Sequence, residues 1–149
     1  MIVVDTSALI AILDREPDAA LYAEAIAEAD SPLISAATLL ELHTVMLNRH
    51  GGRAGQLVDR LIQDAGFQIE HFTAQHLELA REAYARYGKG RNSAGLNYGD
   101  CFSYALAKAT GLPLLFKGTD FSKTGLVCGI AQHLSKESNP DTAPATRSV

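Results

Sequence analysis

Two cysteines, no tryptophan and five prolines in 149 residues narrow the field at once. Two thiols cannot staple a small disulfide-built domain, and Cys101 and Cys128 lack the spacing of a zinc pair. Each lies in a mostly apolar segment, so both are expected to be buried, reduced thiols of a cytoplasmic protein. No apolar run approaches the roughly 20 residues that a membrane-spanning helix needs. The apolar opening MIVVDTSALIAIL is interrupted by Asp5 and has no basic segment before it. It reads as a strand and a helix rather than as a targeting signal. There is no internal repeat and no glycine-rich phosphate fingerprint. A net charge of −4 gives no general attraction for polyanions.

The charge that is present is unevenly placed. Residues 1–30 carry Asp5, Asp14, Glu16, Asp18, Glu24, Glu28 and Asp30 against Arg15 alone. Residues 81–91 carry Arg81, Arg86, Lys89 and Arg91 against Glu82 alone. A polyanion site would have to be local, and the basic run also reads as a solvated helix end.

With 47% hydrophobic and 20% charged residues, the composition suits one ordinary globular core. Ile2–Val4 is a short β-branched run that reads as a buried strand. Asp5, Thr6 and Ser7 offer caps for a helix over 8–13. A second helix is expected from Pro17 and Asp18 to about Glu28. Strands are predicted at Leu33–Ser35, Phe67–Ile69 and Pro113–Phe116, with a weak fifth at Leu126-Val127. Helices are predicted at 36–48, 54–65, 74–86 and from Gly99 or Asp100 to Ala109. Strands alternating with helices predict a three-layer α/β/α sandwich around a small, mostly parallel sheet. The domain is expected over 1–134. Residues 135–149 are polar with two prolines and are expected to be a disordered tail.

Four carboxylates occupy special places. Asp5 follows the first strand, and Asp120 follows the fourth after a short turn. Glu41 lies in the helix after the second strand, and Asp100 opens the helix before the fourth. Singly, Asp5 and Asp100 also read as helix caps, and Asp120 as a turn residue. Glu41 is harder to dismiss. Its helical neighbours Ala37 and Val45 are apolar, and no Lys or Arg lies within four residues. A carboxylate bordering a packed stripe is costly unless paired or bound to a cation. In a parallel sheet all four can converge on the carboxyl edge, where ligands gather. Crowded carboxylates repel unless a cation neutralises them. An all-oxygen set favours a hard ion, Mg²⁺ or Mn²⁺, which can activate water for phosphodiester cleavage.

These residues resemble a PIN domain, specifically the VapC group of toxin–antitoxin pairs, over about residues 1–130. The resemblance rests on VVDTSALIAIL at 3–13 followed by Glu16-Pro17, SAATLLEL at 35–42, LNYGDCFSYALAKATGLPLLFKGTDF at 96–121 and FSKTGL at 121–126. It implies that Asp5, Glu41, Asp100 and Asp120 hold Mg²⁺ or Mn²⁺ for RNA hydrolysis, helped by a hydroxyl at Thr6 or Ser7. It also implies a homodimer and a cognate antitoxin that enters the acidic groove. Asn92-Ser93-Ala94-Gly95 stands where that family often reads His-Pro-Ala-Gly. Thr119 and Gly125 also depart from its usual residues. The departures bear on substrate choice and on support of the site.

Other residues have two readings each. Lys117 is expected to contact phosphate or to pair with a carboxylate. Asn97 either binds substrate or braces its loop. Arg15, Arg81, Arg86, Lys89 and Arg91 are candidates for RNA contact. Tyr84 and Tyr104 are expected in the core, whereas Tyr87 and Tyr98 are better placed to stack on bases. The five histidines show no metal pattern and read as structural or surface. Two rival functions use similar residues: a phosphoaspartate receiver with Lys117 as its lysine, and a nucleic-acid-binding module without catalysis.

Overall fold

A computed structural model describes residues 1–130. Its sheet has four strands: β1 (Ile2–Val4), β2 (Pro32–Ser35), β3 (Gln68–Glu70) and β4 (Leu114–Leu115). They lie in the order β3-β2-β1-β4, and every pairing is parallel. The helices are α1 (Thr6–Leu13), α2 (Ala19–Ala27), α3 (Ala36–His50), α4 (Ala54–Asp64), α5 (Ala74–Tyr87) and α6 (Asp100–Thr110). A short 3₁₀ turn covers Asp120–Lys123.

Strand periodicity divides the core between the two faces. Ile2, Val4, Ile34 and Leu115 join one cluster, built with residues of α1, α2, α3 and α4. Val3, Leu33 and Leu114 turn the other way, into a cluster built with α5 and α6. Central strands buried on both faces need apolar residues at successive positions, which the short β-branched run of β1 supplies. The result is the expected three-layer sandwich. Because the strands are parallel, their carboxyl ends share one edge, and α1 and α3 begin directly from the ends of β1 and β2.

Three expectations are corrected. Leu126-Val127 is not a strand. Val127 accepts a bond from the Leu114 amide and Cys128 forms one isolated bridge to Leu114, because glycine and turn residues leave no room for a ladder. Tyr84 is not core; it is 41% exposed and lines a groove, while Tyr104 is buried. Cys128 is only half-buried, whereas Cys101 is buried. Among the described residues no helix is long and apolar enough to cross a membrane. The expected domain end at 134, the tail and His133 lie outside the described residues.

Candidate active site

Asp5 ends β1 and caps α1. Its amide donates to the Leu115 carbonyl, and the Ser7 amide donates to its Oδ2 at 2.9 Å. The Ser7 hydroxyl donates to the same oxygen at 2.6 Å. The Ser103 hydroxyl donates to Oδ1, also at 2.6 Å. Asp5 is therefore buried, with a hydrogen bond to each carboxylate oxygen. Glu41 reaches it from α3: the Thr6 hydroxyl, one residue along from Asp5, donates to Glu41 Oε2 at 2.8 Å.

Asp100 is the first residue of α6 and is buried. It is locked to Asn97 in both directions. The Asn97 amide donates to Asp100 Oδ2 at 2.8 Å, and the Asp100 amide donates to Asn97 Oδ1 at 2.9 Å. Asn97 is thus the brace of its loop. Between Asp100 and Glu41 stands Gly99, whose backbone lies so close to the Glu41 carboxylate that an added Cβ would collide with it. Asp120 is exposed at the start of the 3₁₀ turn, which is anchored by buried Phe121 against Phe116.

Burial is the main reason the Asp100 carboxyl is pushed up to about 7. The Asn97 amide opposes that shift, and the charges of Asp5, Asp120 and Glu41 reinforce it. The charges of three acids from separate elements thus all bear on Asp100. Glu41 is raised for the same reason, burial first, with Thr6 opposing and Asp5 reinforcing. None of the four pairs with a Lys or Arg among the described residues. They converge without closing: no three His, Cys, Asp or Glu side chains among the described residues form a ready metal cage.

The donor set nevertheless fits a hard cation. Glu41 gives one oxygen to Thr6 and Asp100 gives one to Asn97, which leaves the second oxygen of each without a hydrogen bond among the described residues. Such all-oxygen sets suit Mg²⁺ or Mn²⁺ rather than zinc.

The other predicted residues divide. Lys117 pairs with Glu16 and with Asp18 at 2.8 Å, so it faces the α1–α2 segment. Only its amide touches the site, donating to the Ser7 hydroxyl at 3.0 Å. Arg15 is exposed at that segment with φ 54°. Arg81 pairs with Glu78 at 3.0 Å, and the Arg86 guanidinium lies 5.2 Å from the centre of the Tyr87 ring. Lys89 and Arg91 are exposed in the 88–98 loop. Arg81, Arg91 and Tyr98 line one groove of about 610 Å³. Tyr98 is 77% exposed, with its ring edge-on to Phe102 at 4.9 Å. It also lines a second groove, of about 470 Å³, that reaches Glu41 and Gly99. Three of the four described histidines pair or cap instead: His43 with Asp59, His50 with Asp14, and His76 in the capping box of α5, while His71 is exposed.

Sequence reasoning missed Gly99, Ser103 and Thr38. A signal existed for the last two. Ser103 is three residues beyond Asp100 and Thr38 three before Glu41, so each shares a helix face with a carboxylate.

An all-parallel sandwich with acids gathered at the carboxyl edge is the setting of a nuclease, and the PIN-domain family model matches residues 2–126. The chain belongs to the PIN-domain family. It is 50% identical over 122 residues to a Ribonuclease VapC of Mycolicibacterium smegmatis, covering 82% of this chain and 95% of that one. Ribonuclease VapC28 of Mycobacterium tuberculosis is 49% identical over 125 residues, 83% of this chain and 94% of its own. Among solved structures, Mycobacterium tuberculosis VapC20, described as a toxin cleaving the sarcin–ricin loop, matches with a TM-score of 0.70 at 25% identity. That match covers 85% of this chain and 97% of VapC20. Within the family, the place of this chain is among the VapC ribonucleases, enzymes that as a class depend on a metal ion.

Proposed function

We propose that this chain is the endoribonuclease toxin of a toxin–antitoxin pair, hydrolysing internal RNA phosphodiesters in the cytoplasm. Asp5, Glu41, Asp100 and Asp120 hold Mg²⁺ or Mn²⁺. When bound, the ion supplies a water made acidic enough to attack at neutral pH and positive charge for the departing oxygen. The chain's own residues set the geometry. Ser7 and Ser103 fix the plane of the Asp5 carboxylate, Thr6 holds Glu41, and Asn97 holds Asp100. Arg91, with Arg81, Arg86, Lys89 and Arg15, guides the phosphate backbone. Lys117 supports the site by anchoring the turn that carries Asp120. A cognate antitoxin and a homodimer complete the reading, supported by the family and by exposed Leu40, Leu77, Tyr84 and Tyr98 beside the grooves.

The observation that carries it is the buried Asp100 braced by Asn97 and the Glu41 held by Thr6, neither of them paired with a Lys or Arg among the described residues. The receiver alternative loses its lysine, since Lys117 is occupied by Glu16 and Asp18. The test is RNA cleavage with Mg²⁺ or Mn²⁺ by wild type and Asp100→Asn. Wild type is expected to cleave, and EDTA or the substitution to stop it. Equal cleavage by both proteins, or indifference to EDTA, overturns the proposal.

A further inference from the structure

The deepest part of the site is a line of hydroxyls rather than acids. Thr38 Oγ1 and Ser103 Oγ lie 3.2 Å apart, and both residues are buried, at 0% and 1% exposure. The direction of this contact follows from Asp5. A hydroxyl has a single proton to give. Ser103 gives its own to Asp5 Oδ1, so Thr38 must donate to Ser103. The relay runs Thr38 to Ser103 to Asp5, from α3 through α6 to the end of β1.

Its placement within the helices is what makes it consequential. Thr38 and Glu41 are three residues apart on α3; Asp100 and Ser103 are three apart on α6. Each helix thus carries a hydroxyl one turn from its carboxylate on the same face. One short chain of bonds ties together the three elements that bear Asp5, Glu41 and Asp100. Ser103 also settles the lone pairs of Asp5. A carboxylate offers about four acceptor positions, two on each oxygen. Ser7 fills both on Oδ2, through its amide and its hydroxyl. Ser103 fills one on Oδ1 and leaves one.

We infer that Thr38 and Ser103 are positioning residues that fix the Asp5 carboxylate with one acceptor position on Oδ1 left open, and that they set metal affinity without touching metal or RNA. The inference rests on the metal-dependent reading of the site. Removing a hydrogen bond behind a metal ligand typically weakens binding about 10–100-fold.

The test is Mn²⁺ titration of the purified full chain by calorimetry, with melting in EDTA to confirm folding and RNA cleavage as a second readout. Ser103→Ala should weaken Mn²⁺ binding about 10–100-fold. Thr38→Val should weaken it less, and Thr38→Ser, which keeps the hydroxyl, should restore wild-type binding. Because Thr38 acts only through Ser103, the double variant Thr38→Val/Ser103→Ala should bind no worse than Ser103→Ala. Should Ser103→Ala fail to fold, the Thr38→Val and Thr38→Ser pair alone decides. Unchanged Mn²⁺ affinity in folded Ser103→Ala or Thr38→Val overturns the inference, as does an additive loss in the double variant or failure of Thr38→Ser to restore binding. Wild type that binds no Mn²⁺ overturns the metal-dependent reading itself, which is a different failure.

Discussion

Asp14, Glu16 and Asp18, at the join of α1 and α2, each meet a cation of the protein; Asp5, Glu41 and Asp100 meet hydroxyls and amides instead. Asp14 bonds Arg49 and His50, both at 2.6 Å. Glu16 and Asp18 share Lys117. The consequences are opposite. His50 is the main reason the Asp14 carboxyl is held below its usual range, and Lys117 does the same for Asp18. Burial pushes Asp100 and Glu41 up. One residue type is thus used in two ways within one short domain. The first group is neutralised internally and holds the structure together. The second has no counter-ion of the protein among the described residues, and burial makes its charged form costly at Asp100 and Glu41.

The largest expected break in this contrast comes from neutralising the second group. Asp100→Asn and Glu41→Gln should each lower RNA cleavage on the order of 10³-fold. Each should at the same time raise the melting temperature in EDTA at pH 8, since a buried charge is removed and one hydrogen-bonding oxygen remains. A fall in melting temperature would show that these acids are structural. Gly99→Ala should come next, lowering cleavage about 10–100-fold by displacing the Glu41 carboxylate. Its backbone, at φ −67° and ψ −38°, accepts alanine, so the fold should persist. Full activity in this variant would mean that the place of Glu41 is unimportant.

The pH dependence sharpens the comparison further. Asp100 titrates near 7 in the folded chain against a reference value of 3.8. Over that interval the folded state holds the proton more tightly than the unfolded state. Stability in EDTA should therefore fall as pH rises from about 4 to about 7, with Glu41 acting in the same direction. Asp14 works the other way: its contribution is present above 3.8 and is lost as pH falls through its lowered folded value. Melting curves at pH 5 and pH 8, with and without Mn²⁺, check this, and Mn²⁺ should remove the loss at pH 8. The smallest effect belongs to Lys117→Met. Cleavage should stay within about fivefold of wild type, because a half-exposed ion pair outside the acidic site contributes little and the amide that reaches Ser7 is kept. A loss matching that of Asp100→Asn would instead place Lys117 on the phosphate.

Much of this was legible in the chain, element by element. The runs at Ile2–Val4 and Leu33–Ser35 read as buried strands because a two-sided sheet demands apolar residues in succession. Asp5 and Asp100 stood out by position, at the end of a strand and the start of a helix, and Glu41 because it bordered an apolar stripe with no Lys or Arg within four residues. Leu126-Val127 misled because two apolar residues resemble a strand whether or not a ladder can form. Tyr84 misled because helical spacing cannot say which face is covered when a helix has apolar residues on more than one side.

The sequence by itself determined the alternation of strand and helix, the parallel sheet and the edge where the acids collect. These depend on local periodicity and on the rule that parallel strands end together. Only the tertiary structure decided which carboxylates remain without cations, because Lys117 finds Glu16 and Asp18, and Ser103 finds Asp5, across about a hundred residues of chain. Partners so distant leave no periodic trace in the sequence.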